Sequence, residues 1–293
     1  MSNLIRIENL RIGFSLFGRM HEVVKGVNMR IPAGGVAALV GESGSGKSVI
    51  SQAVMGILPR TGRVTGGHIF FTDPRTRQTV DLVTLERDGA EMRALRGSQM
   101  AMIFQEPMNS LSPLYTIGNQ VEEMLVLHSN VRGKEALATT IEMLRLVGFP
   151  QPARAYQMYP FELSGGLRQR AMIAMALICR PSLLIADEPT TALDVTIQAQ
   201  VLSLLKDLQG ELGMSMLLIT HDLGVVANIA DEVSVIYHVE IMEAGPVDAI
   251  FRSAQHPYLK ALLHAVPHFD MSDGERLVSL RDDAIDTSAL THR

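Results

Sequence analysis

Lys47 and Ser48 close a glycine-spaced stretch, Gly41-Glu42-Ser43-Gly44-Ser45-Gly46, and four other polar residues share a placement of their own. Gln105, Asp187, Glu188 and His221 each stand at or just past the end of a short aliphatic run. The first group is built for anion capture. Glycines let the backbone curl tightly, so that successive N–H groups point inward at phosphate oxygens. The spacing is GxxxxGK[ST], in which the lysine reaches the β- and γ-phosphates and the following hydroxyl sits on Mg²⁺. A helix opens at Lys47, and its N-terminus adds a favourable partial positive charge. Nucleotide contacts are therefore expected from Gly41 through Val49, with Ser48 doubling as a metal ligand.

The second group suits hydrolysis of whatever the loop holds. A strand sends alternate residues to opposite faces, so the adjacent Asp187 and Glu188 are expected to do different jobs. Asp187 is assigned to the Mg²⁺ shell and Glu188 to an attacking water. Gln105 and His221 end two further aliphatic runs, and the C-terminal ends of strands in an α/β sheet are where ligands bind. Ser164 is a candidate helix N-cap, and Gly165 and Gly166 leave backbone N–H groups open to an anion. Asp194 ends a TTALD turn before another helix.

These residues need elements to hold them. Val36–Val40 is a continuous apolar run suited to a strand buried on both faces, and the helix after the loop runs out at Gly56, before Pro59. Met100–Phe104, Leu183–Ala186 and Met216–Thr220 read as further buried strands, and residues 231–245 as a hairpin. Residues 4–31 suggest a strand pair, and 62–81 a β-rich, turn-rich stretch. Phe14 lies 27 residues before Gly41 on such a strand, where its ring can stack on a base; Phe17 is its rival. Residues 84–98 form a charged helix or loop. From 108 to 162 the pattern becomes helical, with Ile117–Leu127 and Lys134–Val147 as its main segments. A helix carries Leu167, Ala171, Ala174, Met175 and Ile178 on one face, and another spans Val195–Leu212. Pro246–Val266 reads as helical, and beyond Pro267 the chain is a polar tail without period. The domain division is thus 1–266 and 267–293.

Composition narrows the class. The 293 residues carry 26 basic and 31 acidic side chains, a net −5 that argues against coating nucleic acid. Hydrophobic content of 47% with 5% aromatic suits an aliphatic α/β domain. Ala171–Cys179 is half the length needed to cross a bilayer, and Arg6, Glu8 and Asn9 interrupt any leader at Leu4–Leu10. Cys179 alone excludes an internal disulfide, and its apolar neighbours point to a buried, inert thiol. His256, His264 and His268 invite a metal reading, but Pro267 breaks their spacing.

GESGSGKS, Gln105, LSGG, LLIADE, the TTALD turn and His221 together resemble an ATP-binding-cassette (ABC) ATPase, over about 250 residues. MIFQEPMNSLSPLYTIGNQVEE, LSGGLRQR and HPYLKALLHAVP look like the subunits that drive dipeptide, oligopeptide and nickel import. The resemblance implies a P-loop NTPase (RecA-like) core with an antiparallel β subdomain and a helical insertion. It implies ATP and Mg²⁺ as cofactors and a second cassette, identical or not, paired head to tail. Lys47 and Ser48 of one would then face Ser164, Gly165 and Gly166 of the other, with Asp194 nearby. Glu188 would polarise the attacking water, and Gln105 and His221 would contact the metal or the γ-phosphate side. Two membrane permease subunits and, indirectly, a solute-binding protein complete the expected set, with this chain at the cytoplasmic face of the membrane.

Three departures from that pattern stand out. Val239 and Glu240 occupy hairpin positions where the subfamily shows Gly and Arg, Leu167 replaces a frequent Met, and the cysteine-bearing tail is missing. The chain is expected to be a tail-less member or the first half of a tandem protein. A cassette ATPase of DNA repair or translation is the rival reading; no zinc-spaced cysteines, coiled coil or basic excess support it.

Overall fold

A computed structural model of the chain describes residues 2–104, 110–190 and 194–264. In chain order its strands are β1 (Asn3–Leu16), β2 (Arg19–Pro32), β3 (Val36–Val40), β4 (Gly62–Thr72), β5 (Thr79–Asp81), β6 (Met100–Ile103), β7 (Leu183–Asp187), β8 (Ser215–Thr220), β9 (Glu232–Tyr237) and β10 (Glu240–Pro246). They form two sheets. One is antiparallel in the order β2-β1-β4-β5. The other has the order β10-β9-β3-β8-β7-β6, parallel from β9 to β6 with β10 antiparallel at its edge.

The aliphatic runs are explained by burial on both sides. Along β7, Leu184 and Ala186 enter one apolar cluster, while Leu183 and Ile185 enter another across the sheet. Along β8, Met216 and Leu218 divide from Leu217 and Ile219 in the same way. The second cluster is shared with the antiparallel sheet and with α1 (Lys47–Val54), through Ile5, Ile7, Ile50 and Val54. Covered faces leave no reason for polar alternation, so the strands read as continuous hydrophobic runs.

The stretch 84–98 contains one short helix, α2 (Ala90–Leu95). The helical insertion comprises α3 (Ile117–His128), α4 (Lys134–Leu146) and α5 (Pro152–Ala155), which pack with α6 (Gly165–Leu177) in the first cluster. Thr116 caps α3 by accepting from Asn119 N–H at 3.3 Å. The turn before it is fastened by the buried Gln120 amide, which accepts from Ser112 N–H and donates to the Ser112 and Tyr115 carbonyls. α7 (Val195–Leu212) and α8 (Leu223–Ile229) follow β7 and β8.

Two expectations need correction. The helical stretch from Pro246 is broken into α9 (Val247–Arg252) and α10 (Pro257–His264), because the Glu243 carboxylate takes the N–H groups of Gln255 and His256. Cys179 is half-buried rather than buried; its Sγ donates to the Met124 carbonyl at 3.4 Å, and burial raises its pKa. The polar tail expected at 267–293 lies outside the described residues.

Candidate functional site

Parallel pairing brings the chemistry to one edge. Val40 is level with Thr220, Asp187 with Ile219, and Ile103 with Ala186. The residues that follow these strands, Gly41, His221 and Glu188, therefore emerge together at the C-terminal edge of the sheet. Gln105 belongs to the same edge by sequence but lies outside the described residues.

The glycine spacing has a steric cause at Gly41. A Cβ there would stand 2.2 Å from the Ile236 carbonyl oxygen of β9, so only glycine lets the loop leave β3. Gly46 adopts φ 98°, a conformation that L side chains rarely enter, and delivers Lys47 to the first position of α1. Lys47 is buried, and its Nζ donates to the carbonyls of Gly41 (2.7 Å) and Glu42 (2.8 Å). Burial pulls the Lys47 ammonium below its ordinary pKa, while the charges of Glu188, Asp187 and Glu42 pull it back.

Asp187 is also buried, which pushes its carboxyl above the usual range; a hydrogen bond from Ser48 and the charge of Lys47 act the other way. Its Oδ1 has no hydrogen-bond partner. A lone carboxylate oxygen of this kind, beside a hydroxyl, fits the oxygen donor set of a divalent cation such as Mg²⁺.

A cavity of about 280 Å³ opens over the loop, lined by Ser43, Gly44, Lys47 and Ser48, with Phe14 and Glu188 among its other walls. Phe14 and Phe17 part company here. Phe17 sits fully exposed in the β1–β2 turn, whereas Phe14 packs over Gly62 of β4, where a Cβ would come 2.8 Å from the ring. Val23, Gly46 and Val49 complete the lining.

Asp187 and Glu188 do separate, but strand alternation is not the reason. β7 ends at Asp187, and Glu188 turns away with φ 45°, its N–H held by the Ile219 carbonyl at 2.9 Å. That left-handed turn costs about 1–3 kcal/mol and aims the side chain at the cavity. Oε1 of Glu188 lies 3.5 Å from Nδ1 of His221, whose ring is mostly exposed.

Ser164 accepts from Leu167 N–H at 3.4 Å and caps α6; Asp194 accepts from Ile197 N–H at 2.9 Å and caps α7. A side chain at Gly165 would meet nothing within 4 Å, while one at Gly166 would touch Ile197. None of these four residues lines the Lys47 cavity; Ser164, Gly165 and Gly166 stand at the start of α6 and Asp194 at the start of α7. Gln169 escaped sequence reasoning. It is fully buried, and its Nε2 donates to the Pro189 carbonyl at 2.6 Å, one residue past Glu188. Its position off the apolar stripe of α6 gave no signal.

Residues 24–191 match the family described as ABC transporter. The chain belongs to that family. Residues 242–291 of this cassette also match the oligopeptide/dipeptide transporter C-terminal region, which runs across the boundary placed at 266. The dipeptide transport ATP-binding protein DppD of Bacillus subtilis is 47% identical over 94% of this chain and 80% of its own length. The glutathione import ATP-binding protein GsiA of Escherichia coli K12 is 48% identical over 93% of this chain, which spans only 43% of that protein. Among solved structures, the dimeric cassette MJ0796 bound to ADP and Pi has a TM-score of 0.70 at 26% identity, covering 83% of this chain and 98% of its own. The cassette cbiO1 of Clostridium perfringens gives 0.71 at 25% identity, over 86% and 92%. The fold is thus the P-loop ABC ATPase fold, and the chain is a nucleotide-using ATPase cassette. Among the described residues no helix is long and apolar enough to cross a membrane, and no group of three or more His, Cys, Asp or Glu could hold a metal.

Proposed function

We propose that this cassette hydrolyses ATP to drive import of a peptide or peptide-like solute through separate membrane subunits. The observation that carries it is the cavity on which Phe14, Lys47, Ser48 and Glu188 converge. Phe14 stacks on the adenine, the loop from Gly41 to Val49 takes the triphosphate, and Lys47 turns from its two carbonyls toward the β- and γ-phosphates. Ser48 and Asp187, with Gln105, hold Mg²⁺, which supplies charge neutralisation at the phosphates when bound. Glu188 accepts a proton from the attacking water, and His221 orients that carboxylate. The products are ADP and inorganic phosphate.

Ser164, Gly165, Gly166 and Asp194 lie apart from this cavity, which supports their service to the ATP of a second cassette, identical or not. The solute class rests on the printed names of DppD and GsiA and on the matched C-terminal region. With these goes a place at the cytoplasmic face of the membrane beside two permease subunits, with a solute-binding protein as an indirect partner and no nucleic-acid partner. The 1–266 cassette and the following tail are proposed as its two parts.

The test is uptake of a labelled dipeptide by cells lacking the gene, complemented with the wild type or Lys47→Ala. Uptake restored by the first and not the second is expected, together with loss of ATPase activity in purified Lys47→Ala. Equal uptake with both would overturn the reading.

A further inference from the structure

The motif Gln255-His256-Pro257-Tyr258-Leu259 has no place in the hydrolysis scheme, yet it sets a fully buried phenol against the phosphate loop. The start of α10 is clamped. Glu243 accepts from Gln255 N–H at 3.0 Å and from His256 N–H at 2.8 Å, and His256 Nδ1 accepts from Tyr258 N–H at 3.1 Å. Held there, the Tyr258 ring stacks on Tyr237 at the end of β9, with centroids 4.0 Å apart. Its hydroxyl donates to Glu42 Oε1 across 3.4 Å. Burial, then the Glu42 carboxylate, keep the phenol well above its ordinary pKa, so it remains a donor at physiological pH.

Glu42 is the second residue of the loop, and its backbone carbonyl accepts from Lys47 Nζ. One residue is thus held from two directions, by Lys47 through its backbone and by Tyr258 through its side chain. A carboxylate in an anion-binding loop repels phosphate most when it swings toward it. The hydrogen bond from the Tyr258 hydroxyl holds the Glu42 side chain on the Tyr258 side without cancelling its charge.

We propose that Tyr258 is a positioning residue for the phosphate loop, holding Glu42 so that the loop from Gly41 to Ser48 is set for the triphosphate. This rests on the reading of that loop as the nucleotide site. It gives α10 a share in nucleotide affinity without any contact to the nucleotide.

Tyr258→Phe keeps the ring and its stacking and removes one oxygen. In the full chain, Kd for MgATP by calorimetry and KM from steady-state hydrolysis should rise about three- to tenfold, with kcat within about twofold. In a Glu42→Ala background the same substitution should leave Kd unchanged, because its route to the loop is gone. A general loss of packing would weaken binding in both backgrounds, so an equal rise in each overturns the proposal. So does an unchanged Kd in Tyr258→Phe while Lys47→Ala has lost binding. If Lys47→Ala binds MgATP like the wild type, the loop is not the nucleotide site, and the functional reading fails instead.

Discussion

Glu188 Oε1 and His221 Nδ1 stand 3.5 Å apart, each just past the end of one of two neighbouring parallel strands. The pair needs no long loop to meet; the sheet register alone puts both at one edge. Glu188→Gln keeps the shape of the side chain and removes its basicity. Turnover should fall by at least about a hundredfold, the usual size of a general-base loss, with ATP binding retained. Steady-state hydrolysis beside an equilibrium binding measurement checks this, and near-normal hydrolysis would remove Glu188 from the role.

Asp187 shows stability set against function. Its carboxyl holds a proton more tightly in the folded state than in the unfolded chain, chiefly through burial. The charged form therefore costs stability above the ordinary carboxylate range, and the cost fades as acid protonates it. Asp187→Asn should raise Tm by about 2–4 °C at pH 7 without nucleotide or Mg²⁺, what about 1 kcal/mol does in a domain of this size. The gain should shrink toward pH 4, and Mg²⁺-dependent hydrolysis should be lost. Thermal melts across pH provide the reading; a lower Tm at pH 7 contradicts the account.

The β9–β10 turn carries the departure noted in the sequence. His238 and Val239 both have positive φ, 44° and 66°, and a β-branched side chain is poorly suited to that region. Val239→Gly should stabilise the chain by about 1 kcal/mol after the entropy cost of glycine is set against the relief. Denaturant unfolding would report it as a higher midpoint at constant slope. No change would mean that the Val239 methyls, close to the position a Gly46 side chain would take, give back as much in packing.

His256 makes the start of α10 sensitive to acid. Burial lowers its pKa, with Glu243 opposing, and Nδ1 is already occupied as an acceptor for Tyr258 N–H. The unfolded chain takes up this proton near the ordinary histidine value, before the folded chain does, so acidification through that window costs stability. His256→Asn keeps an acceptor without the titration. Its Tm should fall less than that of the wild type between pH 7 and 5.5.

Much of the site was legible because loop chemistry is local. The glycines, Lys47 and Ser48 are adjacent in sequence, and the aliphatic runs that carry Asp187 and His221 betray double-faced burial by their lack of alternation. The sequence favours Phe14 over Phe17 by its place on a strand 27 residues before Gly41, and β4 adds the packing by bringing Gly62 beneath its ring. The separation of Asp187 from Glu188 was expected for the wrong cause, since no pattern in LLIADEP announces a left-handed residue. Gln169 and Tyr258 stayed hidden for another reason. Each acts through one contact to a residue at least 20 positions away, and neither periodicity nor spacing encodes such a contact.

The Gln169 amide has a mechanical consequence. It sits inside the helix whose first turn holds Ser164, Gly165 and Gly166, and grips the backbone immediately after Glu188. With no exposed surface and a 2.6 Å bond, this strut has little slack. A shift of the first turn of α6 would reach, four residues on, the carbonyl of the residue that follows Glu188. One hydrogen bond joins α6 to the segment after Glu188, and Gln169→Leu would fill the side chain's space while removing that bond.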